Sequence, residues 1–312
     1  MKRLVLALLF AAALLGRAAS AQTARQVAVT FDDLPSTHGD LARTRDLNLR
    51  LLASLKRNGV TAVGFVNESR LYRRGEMDAR TALLAAWLDA GHELGNHTFS
   101  HILIDRHTLE EYKEDVMRGE TVTRMLLGER GRRLRYFRHT QLRTGPTEEY
   151  RRGLSGFLRG RGYTVAPVTI DNQEWVFADV YARAIARGDR ATMKRVGDAY
   201  VPFMESVFDF FERLSVETFG REVRQTLLLH ANEINADYFD ALATMMKRRG
   251  YSFVTLEEAL KDPAYSLPEA QSKTGLSWIH RWRLAKGLEL KMEPREPDWL
   301  AELHRAGARR SN

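Results

Sequence analysis

Short apolar, β-branched runs alternating with longer segments of helical periodicity constrain this 312-residue chain more than any other feature. The runs are Gln26–Phe31, Thr61–Val66, His92–Asn96, Arg135–Arg138, Tyr163–Ala166, Thr226–His230 and Ser252–Val254. Helical stretches include Arg43–Asn58, Asp78–Ala90, Leu109–Leu127 and Ala236–Arg249. Gly59, Gly91 and Gly250 stand where such stretches stop and a left-handed cap is needed. Alternation of this kind predicts strand–helix units around a parallel sheet, in a chain short enough for a single α/β barrel.

Two regions depart from the alternation. Val176 to Arg224 reads as two or three helices carrying the apolar series Val201, Met204, Val207, Phe208, Phe211 and Leu214, and is taken as a helical insertion spanning 176–225. Beyond Pro263 the periodicity weakens and Pro268, Pro294 and Pro297 break it, leaving one amphipathic stretch, Ser277–Leu288, with Trp278 and Trp282. Burial against the barrel is the expected role of those indoles, ahead of stacking on sugar rings.

The first residues predict the compartment. Lys2 and Arg3 precede an apolar stretch, Leu4–Leu15, that ends in small residues around Ala19-Ser20-Ala21. That is the pattern of a cleavable signal peptide over residues 1–21. The stretch is shorter than the ~20 residues that span a bilayer, so the mature chain is expected to be exported, periplasmic or secreted, with no stable membrane span. The chain has 48 basic and 40 acidic side chains, or +8, and loss of Lys2, Arg3 and Arg17 with the leader leaves +5. Much of this basicity lies between Arg130 and Arg161. For an exported protein the expected anionic partner is envelope polysaccharide, with no role for nucleic acid. There is no cysteine, which excludes disulfides, thiolate nucleophiles and thiolate metal sites. Any metal must be held by His, Asp or Glu.

"VTFDD", Val29 to Asp33, ends a strand on two adjacent carboxylates, unfavourable unless a proton or cation neutralises part of the charge. "GHELGNHTFSH" places His97 and His101 four apart after another strand, where one helical turn would point both imidazoles the same way. Thr98 follows His97 where a zincin would have Glu. Strand ends of a parallel barrel meet on one face, and two His with one carboxylate leave a cation an open position for water. "TLLLHANE" ends a late strand on His230, a side chain suited to general acid work near neutrality.

On these motifs, from about Gln26 to Leu260, the chain resembles the polysaccharide deacetylases with a NodB-homology domain, carbohydrate esterase family four, as a divergent subgroup. The resemblance implies a distorted, incomplete (β/α) barrel of about seven parallel strands with a helical insertion, occupying residues 22–262, followed by an extension over 263–312. It implies that Asp32 is the catalytic base and that Asp33, His97 and His101 hold a divalent metal. Zn²⁺ is the first choice for two nitrogens and one oxygen, with Co²⁺, Ni²⁺ or Mn²⁺ able to occupy the same site.

Two further family motifs are present in altered form. "FRHTQLRTG" keeps Arg138, implied to pair with Asp32, but has Thr140 for the family's proline and Gln141 for its aromatic, which loosens the turn. The main-chain N–H of Gln141 is implied to stabilise the oxyanion. "DNQEW" puts Glu174 where an aspartate usually orients the general acid, here His230. Asp171 opens that motif on the substrate side, and Trp175 and Leu228 resemble the apolar wall around the acetyl methyl.

The implied activity is hydrolysis of N-acetyl groups on an amino-sugar polymer, peptidoglycan or chitin-like. The alternatives are an O-acetyl esterase acting on acetylated polysaccharide and a non-catalytic carbohydrate-binding protein. His38, His92, His107, His139, His280 and His304 fit no motif position and are expected at the surface or in packing, with His139 also a candidate for lining the cleft.

Overall fold

The computed structural model describes residues 25–37 and 39–309; the expected signal peptide lies outside them, as does His38. Strand β1 (Arg25–Leu34) is central, and its last eight residues are all buried. A near-continuous apolar run suits a strand covered on both faces. Around it, among the described residues, runs a seven-stranded parallel sheet. The other members are β2 (Val63–Val66), β3 (Glu93–Asn96), β4 (Tyr136–Phe137), β5 (Thr164–Val165), β6 (Gln225–His230) and β7 (Tyr251–Phe253). Their order is β5-β4-β3-β2-β1-β6, with β7 pairing the start of β1.

The sheet curls into an incomplete barrel, as the resemblance implies. Past β5 the chain reaches the opposite edge through a single bridge, Ile170 to Leu227, where a full strand would have closed the ring. Register decides what meets at the rim. Asp32 pairs with His230, Val66 with Asn96, and Asn96 with Phe137. The residues at and just beyond these pairs, Asp33, His97, Arg138 and His230, therefore stand together at the C-terminal strand ends.

Helices α1 (Leu41–Asn58), α2 (Met77–Asp89), α5 (Glu148–Gly160) and α8 (Glu233–Arg248) surround the sheet. Asp40 caps α1 through a bond from the Arg43 N–H, and Gly59 closes it at φ 69°. The stretch 109–127, expected as one helix, is two: α3 (Leu109–Arg118) and α4 (Thr121–Gly128). The break falls at Gly119, where the histidine loop packs so closely that a Cβ would lie 2.5 Å from the Thr98 carbonyl carbon.

The helical insertion is a pair, α6 (Glu174–Arg187) and α7 (Arg190–Phe219), joined through Gly188 in a left-handed cap. Its expected apolar series, from Met204 through Leu214, is largely buried. After the short α9 (Leu256–Ala259), the extension forms α10 (Trp278–Ala285) and α11 (Asp298–Ala308). Helix α10 packs on α7 and α11 on α6. Trp278 and Trp282 are buried, as expected. Helix α11 was not foreseen, because Pro294 and Pro297 obscured the start of its periodicity; Pro297 in fact occupies its N-cap.

Candidate active site

Asp33, His97 and His101 place three potential ligand atoms within 4.8 Å of one another. Asp33 Oδ1 lies 3.6 Å from His101 Nε2 and 3.9 Å from His97 Nε2. The two histidines do not share a helical turn, as their spacing led one to expect. They sit on an irregular loop in which Thr98 (φ 65°) and His101 (φ 56°) adopt left-handed backbone. Local side chains hold that conformation in place of a helix. Asn96 Oδ1 accepts the Thr98 N–H at 2.7 Å, and Thr98 Oγ1 accepts the His101 N–H at 3.0 Å. Asn67 Nδ2 donates to the His97 carbonyl at 2.6 Å.

The ring nitrogens are prepared for ligation. His97 Nδ1 is 2.9 Å from the Arg138 carbonyl, an acceptor that fixes the proton on Nδ1 and frees Nε2. His101 Nδ1 is 2.9 Å from the side-chain amide of Gln141, whose Oε1 is otherwise buried without a partner. With the amide reversed, Gln141 Oε1 would accept the Nδ1 proton and leave His101 Nε2 bare for a metal. Gln141, which replaces the aromatic of the resembled motif, thus has a task of its own beside a candidate ligand.

Electrostatics fit the same donor set. Burial pushes the Asp33 carboxyl up, but Arg70 and then His101, His230 and His97 outweigh it and hold it at about 2. Burial lowers both His97 and His101 to about 4, so each ring is neutral. Asp33 Oδ1 is buried with no hydrogen-bond partner, which is costly unless a cation faces it. An ionised carboxylate and two neutral imidazoles suit Zn²⁺ and related divalent ions.

Asp32 stands beside this cluster. Its Oδ2 is 3.5 Å from His97 Nε2, and its Oδ1 is 3.6 Å from Arg138 Nη1. Burial raises its pKa against the attraction of Arg138 and His230, which makes it a stronger base than an exposed aspartate. Arg138 is fully buried, and its Nη2 donates to Thr30 Oγ1 at 2.9 Å.

Across the cleft, His230 Nδ1 is 2.7 Å from Glu174 Oε2. The longer side chain reaches because Glu174 begins α6, fully buried, and its other oxygen is held by Asn232 Nδ2 and by Asn235 Nδ2 at 2.7 Å. Burial favours the neutral His230 ring, but Glu174, then Asp33 and Asp32, raise it to about 9. One cavity of about 580 Å³ is lined by Asp32, Asp33, His97, His101, Gln141 and His230, together with Asp171, Trp175 and Leu228. Burial and then Glu293 push Asp171 up to about 7.

The sequence profile described as polysaccharide deacetylase matches residues 19–143, which hold Asp32, Asp33, His97, His101 and Arg138. Over those residues the chain is similar to the polysaccharide deacetylases. No curated protein sequence matches it significantly. Among solved structures, a mutant of a CE4 family pseudoenzyme from Bacillus anthracis is similar, with TM-score 0.52 and 16% identity over 77% of this chain and 68% of that one. A family 4 acetyl xylan esterase from Clostridium thermocellum, in complex with a cobalt ion, gives TM-score 0.51 and 19% identity over 78% of this chain and 93% of that one. At these identities the likeness establishes the fold.

Several further residues contact the candidate site without having been legible as site residues. Arg70 Nη2 lies 3.3 Å from Asp33 Oδ2, from a short turn just after β2. Asn232 and Asn235 follow His230 in "HANEIN" and double as the cap of α8, a position explicable without Glu174. The third group comes from the extension. Arg281, fully buried, donates from Nη2 to the Leu142 carbonyl at 2.7 Å and from Nη1 to Thr144 Oγ1 at 3.3 Å. A Cβ on Gly275 would fall 2.0 Å from the Gln141 carbonyl oxygen, so that oxygen is packed directly against the extension's backbone. Gln141 (φ 49°) and Leu142 (φ 53°) are strained for L-residues, and these contacts brace the turn where the proline is missing.

Among the described residues, His92, His139, His280 and His304 pack or bond away from the cluster. His139 is buried beneath the cleft, edge-on to Phe137 and stacked near Trp278, and does not line the cavity. His92 and His280 are buried, and His304 bonds Asp179.

Proposed function

We propose that the protein is an exported, metal-dependent deacetylase that hydrolyses N-acetyl groups on an amino-sugar polymer such as peptidoglycan or a chitin-like chain. The observation that carries this reading is the Asp33–His97–His101 cluster with an additional carboxylate, Asp32, beside it and a carboxylate-paired His230 opposite. A binding protein needs neither of the last two.

A divalent cation on the cluster supplies a Lewis acid and a water of lowered pKa. The chain's own groups do the rest. Asp32, raised by burial and oriented by Arg138, takes the proton of the attacking water. The Gln141 main-chain N–H is the proposed donor to the oxyanion, on a turn braced by Arg281 and Gly275. His230 delivers its proton to the departing amine while Nδ1 stays anchored on Glu174. Leu228 and Trp175 wall the acetyl methyl, and Asp171 offers a hydroxyl contact.

Protonated His230 favours an amide over an ester, because an amine must be protonated to leave and an alkoxide needs less help. The cleft favours a polymer. A second cavity of about 510 Å³ shares Asp33, Trp175 and His230 with the first and runs on along α6 past Ala178, Ala182 and Ala186. No described helix is long and apolar enough to cross a membrane.

The test is acetate release by the metal-reconstituted protein from a panel of acetylated glycans. Asp32→Asn is expected to retain metal while turnover falls roughly 10²- to 10⁴-fold. Full activity in that variant would refute the base, and no release from any glycan would favour a carbohydrate-binding role. His230→Ala is expected to cripple amide substrates more than acetate esters; equal losses would refute His230 as the acid, and a parent active on acetate esters alone would point to an O-acetyl esterase.

A further inference from the structure

The arginine-rich run serves the acetyl cleft through Arg138 and the Gln141–Arg143 turn, but another group of its arginines faces away from that cleft. Between residues 130 and 161 there are ten arginines, no lysine and two acids. Five arginines, Arg124 from α4 with Arg132, Arg133, Arg135 and Arg161, line a cavity of about 380 Å³. It opens where Leu134 leads into β4 and Gly162 into β5, at the N-terminal strand ends. The candidate active site stands at the opposite ends of the same strands.

These guanidiniums are positioned from behind. Glu120, buried, pairs with Arg124 Nη2 at 2.9 Å and with Arg161 Nη2, and accepts the Tyr163 hydroxyl at 2.5 Å. Arg135 is gripped by Glu93 at 2.8 and 3.1 Å and by Glu257 at 2.8 Å. Arg132 Nη1 donates to the His92 carbonyl at 2.9 Å. Arg133 is exposed and has no partner among the described residues. Five positive charges against three paired carboxylates leave the cavity net positive, with several N–H donors unused. Converging like charge is unfavourable unless an anion fills the space.

We propose that this cavity is a binding site for a phosphate-bearing polyanion, separate from the deacetylation cleft. Guanidinium, unlike ammonium, presents a planar fork that grips oxyanions bidentately. A tetrahedral phosphate offers oxygens in several directions at once and so can engage arginines converging from α4, the 132–135 segment and Arg161. A planar carboxylate satisfies one such fork. A concave site of this volume takes a discrete phosphate group of a chain and does not fit the plane of a bilayer.

The probe is inorganic tripolyphosphate, titrated calorimetrically into the full-length metal-loaded protein at low and at physiological salt. Saturable binding near one per chain, weakened by salt, is expected. Arg133→Ser should lower affinity about tenfold, and Arg132→Ser with Arg133→Ser further still, each lost charge-assisted contact carrying an effect of that order. Arg152→Ser removes an exposed arginine of the same run outside the cavity and should leave affinity unchanged. Arg133 supports nothing else in the fold, so its variant should melt like the parent, with metal content and acetate release unaltered. Absent saturable binding, an unchanged Arg133→Ser affinity, or an equal loss in Arg152→Ser would overturn the proposal. So would binding to phosphatidylglycerol vesicles that tripolyphosphate fails to displace. None of these outcomes depends on whether the opposite face hydrolyses acetyl groups.

Discussion

The two walls of the cleft are built in different ways. On the first, the backbone turns of the histidine loop are held by residues near in sequence or beside the adjoining strand: Asn96 holds Thr98, Thr98 holds His101, and Asn67 holds His97, with Gln141 contacting His101 from the other wall. On the second, supports come from far along the chain. Glu174 is held by Asn232 and Asn235, and the turn at Gln141–Leu142 by Gly275 and Arg281. The first wall keeps the resembled motifs intact and the second carries all their alterations. Thr140 and Gln141 stand in place of the resembled proline and aromatic where a remote segment braces the turn. A motif reports a site faithfully only where the motif also supports itself.

The sharpest way to break this comparison is a change that reaches the first wall from outside it. Gly119→Ala puts a Cβ against the Thr98 backbone, which must move and carry His97 and His101 with it. Metal affinity is expected to fall by up to about 100-fold, the range for disturbed support of ligands, as measured by competitive chelator titration. Retained affinity would show that the loop is more plastic than its bonding implies.

Arg281→Ala tests the second wall. It frees the Leu142 carbonyl and leaves the triad untouched, so metal stoichiometry should persist while kcat falls by tens-fold, below the roughly 10²- to 10³-fold cost of deleting an oxyanion donor outright. Metal lost in parallel with activity would mean that the walls are not independent.

Glu174→Gln is expected to reduce amide turnover about tenfold, as for other orienting partners. Its pH profile is the more telling readout. Glu174 raises His230, so its loss lowers the ring's pKa and moves the alkaline limb of kcat/KM to lower pH. The same linkage has a sign for stability. A ring raised by folding stabilises only while protonated, so that contribution is present below its ordinary value and lost as pH rises through about 9. Thermal melts of the parent should show this loss, and melts of the Gln variant should not. The smallest effect is expected from Trp175→Ala. This half-exposed indole sits where the two cavities join, and its loss should raise KM for polymer a few-fold with kcat preserved.

The sheet and most helices were legible because the pattern matched the environment. β1 reads as continuous apolar sequence since both its faces are covered, and α1 carries both its capping signals. Asp33, His97 and His101, the ligands expected from the sequence, do lie together, but the geometry of their loop was not legible. Four-residue spacing between histidines is compatible with a helical turn and equally with a loop, and only the left-handed backbone of Thr98 and His101 separates the two. The split between α3 and α4 was hidden for a related reason: a single Gly119 inside a helical pattern is tolerable by local propensity, and its close packing against the loop at Thr98–Phe99 is not visible in the sequence. Arg281 could not be found from pattern at all. A buried arginine amid tryptophans on an amphipathic helix looks like any interfacial cation until its carbonyl partner, 139 residues away, is known.

The dependence of the Gln141–Leu142 turn on Gly275 and Arg281 also sets an order of events during synthesis. The triad and its base are complete once the first hundred or so residues have emerged, but the part that would bear the oxyanion waits for nearly the last helix. A chain cut short before residue 275 would capture metal yet have little hydrolytic power, so competence would arrive only with the finished polypeptide.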